Sequence, residues 1–330
     1  MIESITTLMT VFCFVLVPCS ALLSYFSRKA GADLQARVGP NRAGPAGLFQ
    51  PVADLLKALQ KEDAASSTPL FQQLALALVA AVLLSTVTII PFSGSLLLLD
   101  ADMSVFLTLW AALSAAMVLL FIGFHRGTVP AWISALRVSF QSVTATFPAL
   151  IAILCVGITA GGFRWENILA VQGASPLSWI VFSNPFAPFA FVVFVVSGLI
   201  LFSTPPMDAG LSRMEIQGGL SSLWGGRNLS LFNFIRFYGF FLWACMATGL
   251  FLGGGRLPDG VQDSLGPQGV TFFQVLIFLF KAFTLMLVID GVTRANPRTR
   301  ADQITGFSWR VLSPIALASL VGTALWRVFV

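Results

Sequence analysis

Lys281 falls inside a long apolar run, and Asp290 follows it by about two and a half helical turns. A charge in such a run costs a few kcal/mol unless it is paired or reaches the headgroup region. Reaching out is hard from mid-span, so Lys281 is expected to pair or to take part in charge movement. The chain has 14 Asp and Glu residues, and all fall in loops or near the ends of apolar runs. Asp290 comes nearest to an intramembrane carboxylate. Proton transfer through a bilayer needs titratable side chains or ordered water inside the protein, so a conventional acidic path is not expected. The remaining titratable types offer less. Cys13, Cys19, Cys155 and Cys245 lie in apolar stretches without a CxxC pair, and His125 is the only histidine. No metal, haem or iron–sulfur site is expected within the chain. The cysteines read as small packing residues, and His125 as an interfacial rather than a catalytic residue. No catalytic residue is expected.

The elements that must hold these residues are membrane helices. Hydrophobic residues make up 57% of the chain and charged residues 10%, whereas a soluble domain needs about a quarter charged to cover its surface. Crossing the hydrocarbon core takes about 20 predominantly apolar residues. Eight spans are predicted: Ile5–Phe26, Phe71–Phe92, Ser104–Phe124, Phe147–Gly161, Phe186–Ser203, Phe234–Leu252, Thr271–Ile289 and Trp309–Val330. The fourth is short and carries glycines, so it is expected to start earlier, near Val138. The first has no basic n-region or small-residue cleavage site, and it is expected to be retained. The fold class is therefore an all-α integral membrane protein of about eight transmembrane helices, forming one domain over residues 1–330.

Loop charge sets the orientation. The first loop carries Arg28, Lys29, Arg37, Arg42, Lys57 and Lys61. The third has Arg126 and Arg137, the fifth Arg213, Arg227 and Arg236, and the seventh Arg294, Arg298, Arg300 and Arg310. These loops hold 15 of the 19 basic residues and are expected to be cytoplasmic, with both termini on the other side. Basic residues placed between apolar spans are topology signals, so nucleic acid is not an expected partner. Gly39–Gly47 is too rich in Gly and Pro to be helical. After it, Leu48, Phe49, Val52, Leu55, Leu56 and Leu59 recur at helical spacing, with Gln50, Asp54, Lys57 and Lys61 largely opposite. A helix over 48–61 is too short to span and suits the headgroup plane.

The first loop reads Arg37-Val38-Gly39-Pro40-Asn41-Arg42-Ala43-Gly44-Pro45, then Gly47-Leu48, Gln50-Pro51, Ala53-Asp54 and Lys57. It resembles the first cytoplasmic loop of the quinone-chamber membrane subunit, designated H, of respiratory complex I, the proton-pumping NADH:quinone oxidoreductase. A second match runs through Arg294-Ala295, Pro297-Arg298, Arg300, Asp302-Gln303, Trp309, Leu312 and Pro314. Lys281 also falls where that family carries a lysine. The motifs lie near both ends, so the resemblance covers the whole chain. On residue types alone, Arg37 and Arg42 read as topology anchors on lipid phosphate. Their spacing within the motif favours docking, since a guanidinium fork suits carboxylates and carbonyls of a partner.

The resemblance implies a membrane subunit that forms the quinone chamber and seats a peripheral arm. It places Arg37, Pro40, Asn41, Arg42, Gly44, Pro45, Gln50, Asp54 and Lys57 at the chamber and docking surface. Asp208, Glu215 and Lys281 would serve charge coupling, with Glu215 the first choice, and Arg294, Arg298, Arg300 and Asp302 would form a cytoplasmic loop. It also implies no cofactor bound by this chain. Quinone would be the substrate, and NADH, FMN and iron–sulfur clusters would reside in partner subunits. The setting would be membrane lipid of a bacterial inner membrane. Glutamates usual in the family are replaced here by Thr146, Leu201, Leu211, Arg213 and Leu223. That loss leaves room for a hydrogenase-linked membrane subunit, or for a paralogue that only anchors an assembly.

Overall fold

The computed structural model describes residues 17–61, 69–93, 102–125, 127–211, 219–221, 224–258 and 266–329. Eleven helices are described: α1 (Val17–Leu34), α2 (Gln50–Gln60), α3 (Pro69–Ser85), α4 (Ser104–His125), α5 (Val129–Ala160) and α6 (Trp165–Val171). They continue with α7 (Ile180–Ser183), α8 (Ala187–Leu201), α9 (Gly226–Phe251), α10 (Pro267–Ala295) and α11 (Ala301–Phe329). No strand occurs among the described residues. Six of the helices are long and apolar enough to cross a membrane, and α8 is a shorter apolar helix. The first predicted span lies partly outside the described residues; its described part, α1, runs eight residues beyond Phe26. Leu74, Trp110, Phe121, Phe140, Phe280 and Val321 are exposed on the outside, as lipid contact requires.

Several helices extend past their apolar windows. The fourth begins at Val129, not near Val138, which puts Arg137 inside it and shortens the third loop. Once a helix is nucleated, each added residue gains a backbone hydrogen bond whatever its side chain. Hydropathy therefore marks the lipid-facing part of a helix and misses its polar ends. Arg236 lies within α9, Asp290 and Arg294 within α10, and Arg310 within α11 for the same reason. Trp309 does not open the last helix, which starts at Ala301 and passes through a wide π turn at Ser308–Leu312. Pro148 sits inside α5 and has no N–H to give the Thr144 carbonyl. Ser308 Oγ on α11 donates to that carbonyl at 2.7 Å, so a side chain replaces the missing bond. The amphipathic helix starts at Gln50 rather than Leu48, with Pro51 in its first turn. Val52, Leu55 and Leu56 on it are exposed, while the side chain of Leu59 lies outside the described set.

The core gathers around α9, the most enclosed of the long helices. It packs against α1, α2, α3, α8 and α10, while α5 packs against α4, α8 and α11. Gly198 lets α8 approach closely, since a Cβ there would collide with the Trp243 ring. Trp243 stacks on Phe194 with centroids 4.3 Å apart and donates from Nε1 to the Phe194 carbonyl at 2.9 Å. A buried indole thus keeps its polar atom satisfied.

Candidate functional site

Two glycines explain why the Gly/Pro loop is built as it is. Gly47 has φ +84°, and a Cβ there would strike the Pro40 carbonyl. Gly44 has φ +76°, and a Cβ there would strike the Phe49 ring. Both conformations belong to glycine. The folded loop is tied to α1 by Tyr25 Oη, which donates to the Ala46 carbonyl at 2.8 Å, and to the start of α2 by Phe49 N donating to Ala43 O at 3.0 Å. Gly44 and Pro45 therefore shape the loop, while Asn41 and Arg42 on it are exposed. Arg37 is exposed as well, its Nε donating to Gln35 Oε1 at 2.7 Å.

Behind this loop lies an inner cavity of about 1040 Å³. Its walls come from α1, α2, the start of α9, the end of α10 and the segment after α8. Leu23, Leu55, Leu199, Phe237, Phe240 and Met286 make it largely apolar. Asp54, Lys57, Asp208, Arg294 and Arg298, all anticipated, line it too. An outer pocket of about 830 Å³ lies toward the loop and takes Arg37, Pro40, Gln50, Arg294 and Arg298 into its lining. Arg28, Pro205, Thr293, Arg294 and Arg298 line both spaces, so they form the shared wall.

Each of the three arginines in that wall is held by an aspartate that lines only the inner cavity. Arg28 pairs with Asp54, Arg294 with Asp290 at 3.2 Å, and Arg298 with Asp208 at 3.2 Å. Burial alone would raise the Asp54 carboxyl. The hydrogen bonds from Arg28 and Gln50, with the charges of Arg28 and Lys57, outweigh that and hold its pKa below the ordinary value. Arg236, also lining the cavity, donates to the Phe202 carbonyl at 3.4 Å and to the Ser203 carbonyl. Thr299 holds the same segment through Pro206 O, with its N at 3.1 Å and its Oγ1 at 2.9 Å. Sequence reasoning missed Ser27, Arg28 and Arg236 as site residues and gave Asp290 no part in the site. Arg28 sat in the basic count only, and its pairing with Asp54, 26 residues on, has no local pattern.

Other anticipated residues lie elsewhere. Lys281 lines neither space; its Nζ donates to the carbonyls of Leu252 at 2.8 Å and Gly254 at 2.9 Å, and sits 4.2 Å from the Trp179 ring centroid. Arg300 and Asp302 are exposed at the start of α11, 3.6 Å apart. His125 packs its ring on Phe71, 4.2 Å between centroids. Glu215, Arg213, Leu223, Arg126 and Cys13 lie outside the described residues. Of the positions where acids were expected, Thr146 donates to the Ser142 carbonyl at 2.7 Å, and Leu201 is buried in the core. Leu211 is buried and lines the inner cavity. The site can hold a molecule with a long apolar body and a compact polar head that accepts hydrogen bonds.

The family model described as NADH dehydrogenase matches residues 6–324. The chain is similar to the NADH-quinone oxidoreductase subunit designated H from Anaeromyxobacter dehalogenans (strain 2CP-C), 28% identical over 347 residues that cover 98% of this chain and 82% of the relative. It is also similar to the subunit of the same designation from Carboxydothermus hydrogenoformans, 28% identical over 305 residues that cover 90% of this chain and 82% of the relative.

Proposed function

The chain belongs to the NADH dehydrogenase family, and from that premise we propose that it serves an NADH:quinone oxidoreductase as the membrane subunit that holds the quinone. The observation that carries this reading is the inner cavity, apolar along most of its wall and charged where it meets the outer pocket. An isoprenoid tail is satisfied by Leu, Phe and Met, and a quinone head presents two carbonyl acceptors to arginine donors. The exposed Arg37 and Arg42, on the rigid Gly/Pro loop, seat the peripheral arm. Partner subunits in that arm carry NADH, FMN and the iron–sulfur clusters, and electrons reach the quinone from there. The protein lies in a bacterial inner membrane, with the basic loops on the cytoplasmic side and both termini opposite. That both relatives are NADH-quinone oxidoreductase subunits favours this reading over a hydrogenase-linked subunit or a mere anchor.

Ser24, on the α1 wall of the inner cavity, gives the test. Ser24→Trp fills the cavity without adding charge. In the intact complex it should lower quinone reduction at least about tenfold, a barrier change of about 1.4 kcal/mol. NADH oxidation by the partner subunits with an artificial acceptor should be unchanged. Quinone reduction at the normal rate in an assembled Ser24→Trp complex would place the quinone elsewhere.

A further inference from the structure

Neither sequence motif includes Asp290, yet it closes a network between two helices. Ser27 Oγ on α1 donates to Asp290 Oδ1 at 3.2 Å. Arg294 Nε, one turn further along α10, donates to Asp290 Oδ2 at 3.2 Å. Arg294 Nη2 donates in turn to Ser27 Oγ, which completes a triangle. The two charged side chains keep 19% and 28% of their surface, and both line the inner cavity. Only Arg294 also lines the outer pocket. Gly31 lets the arginine lie close along α1, since a Cβ there would come within 3.1 Å of Arg294 Cδ. Its Nη1 makes no hydrogen bond among the described residues.

We propose that Asp290 and Ser27 are positioning residues that hold the Arg294 guanidinium at the wall between the two spaces, with Nη1 free to donate to a quinone carbonyl. The inference rests on the quinone-chamber reading above. Two of the guanidinium's three nitrogens are occupied by the triangle, which fixes the plane of the group and the direction of the third. A donor already held in place loses little freedom when it binds, whereas a loose arginine must be ordered by the ligand itself. The neighbouring pairs Arg28–Asp54 and Arg298–Asp208 bridge other elements and leave this triangle separate. Asp290 acts through Arg294 and need not touch the quinone.

The test uses the intact complex in membranes. Asp290→Asn keeps the shape and one acceptor but removes the charge that holds Nε. It should raise the KM for quinone about tenfold, with kcat changed less than about twofold, the signature of lost ground-state binding. Asp290→Glu should recover most of the affinity. Should Asp290→Asn fail to assemble, Ser27→Ala removes one corner only, and should raise KM about threefold. An unchanged KM in an assembled variant, or a loss confined to the amount of assembled complex, would overturn the proposal. Labelling of the wild type with a photoreactive quinone separates the two levels. Label on residues 224–240 with an unchanged KM in Asp290→Asn rejects the positioning role alone. Absence of label there rejects the chamber, and the positioning role with it.

Discussion

Asp54 is held between two opposing influences, and the balance makes it a pH probe of the loop. Its partial burial favours the neutral acid, while Arg28, Gln50 and Lys57 favour the carboxylate and prevail. A carboxyl whose folded pKa is depressed adds stability that is fully present above the ordinary carboxylate value. That contribution fades as pH falls through the depressed value. The side chains of Arg28 and Asp54 are 48% and 35% exposed, so solvent screens the pair and its worth stays below about 1 kcal/mol. Comparing wild type with Asp54→Asn by hydrogen exchange on α2 should show weaker protection in the variant at neutral pH. The difference should vanish once pH has fallen through the depressed value, below the ordinary carboxylate range. A difference that persists in acid would mean that Gln50 or packing, not charge, holds α2 on α1.

Lys281 acts at the scale of an element. Its Nζ and the Gln172 amide both serve carbonyls at and just beyond the C-terminal end of α9: Lys281 those of Leu252 and Gly254, Gln172 those of Gly249 and Leu250, at 3.0 and 3.2 Å. A cation at that end also meets the negative pole of the helix dipole. Lys281→Met removes both effects and leaves buried acceptors unsatisfied, at a cost of about 1–3 kcal/mol. The expected outcome is a lower unfolding temperature in detergent with an unaltered KM for quinone, because Lys281 lines neither cavity. A loss of quinone-dependent proton translocation at normal stability and KM would instead support a charge-coupling role for Lys281. The contrast shows what the sequence could and could not carry. Apolar runs revealed that helices exist, and the Gly and Pro content of the first loop marked it as non-helical. The helix ends were hidden because α5, α9 and α10 continue through Arg137, Arg236 and Asp290 without regard to polarity. The partners of Lys281 were hidden because they are backbone carbonyls, and these bear no residue signature.

The inner cavity belongs to the whole molecule, since it joins residues from 20 to 61, from 199 to 211, from 224 to 240 and from 286 to 298. No local pattern could assemble it, though five of its charged residues were found one at a time. Its wall is apolar at Leu211, and Thr146 on α5 and Leu201 on α8 stand at two more positions where the resembling family usually carries glutamates. The cavity carboxylates among the described residues are Asp54, Asp208 and Asp290, each engaged by an arginine. On the proposed reading, a proton taken up at a reduced quinone alters these pairs first. Asp208 is the most enclosed of the three, its side chain only 9% exposed, with Arg298 on one side and the charge of Arg236 nearby. Its neutralisation would remove the negative charge that Arg236 and Arg298 share, leaving a repulsion that solvent at the exposed Arg298 partly screens. Asp208→Asn should therefore cost no more than about 1 kcal/mol of local stability, because solvent reaches Arg298 and screens the pair. In reconstituted vesicles, quinone-dependent proton translocation should fall several-fold further than electron flux. If both fall in equal proportion, Asp208 supports the architecture of the chamber and the charge leaves it by another route.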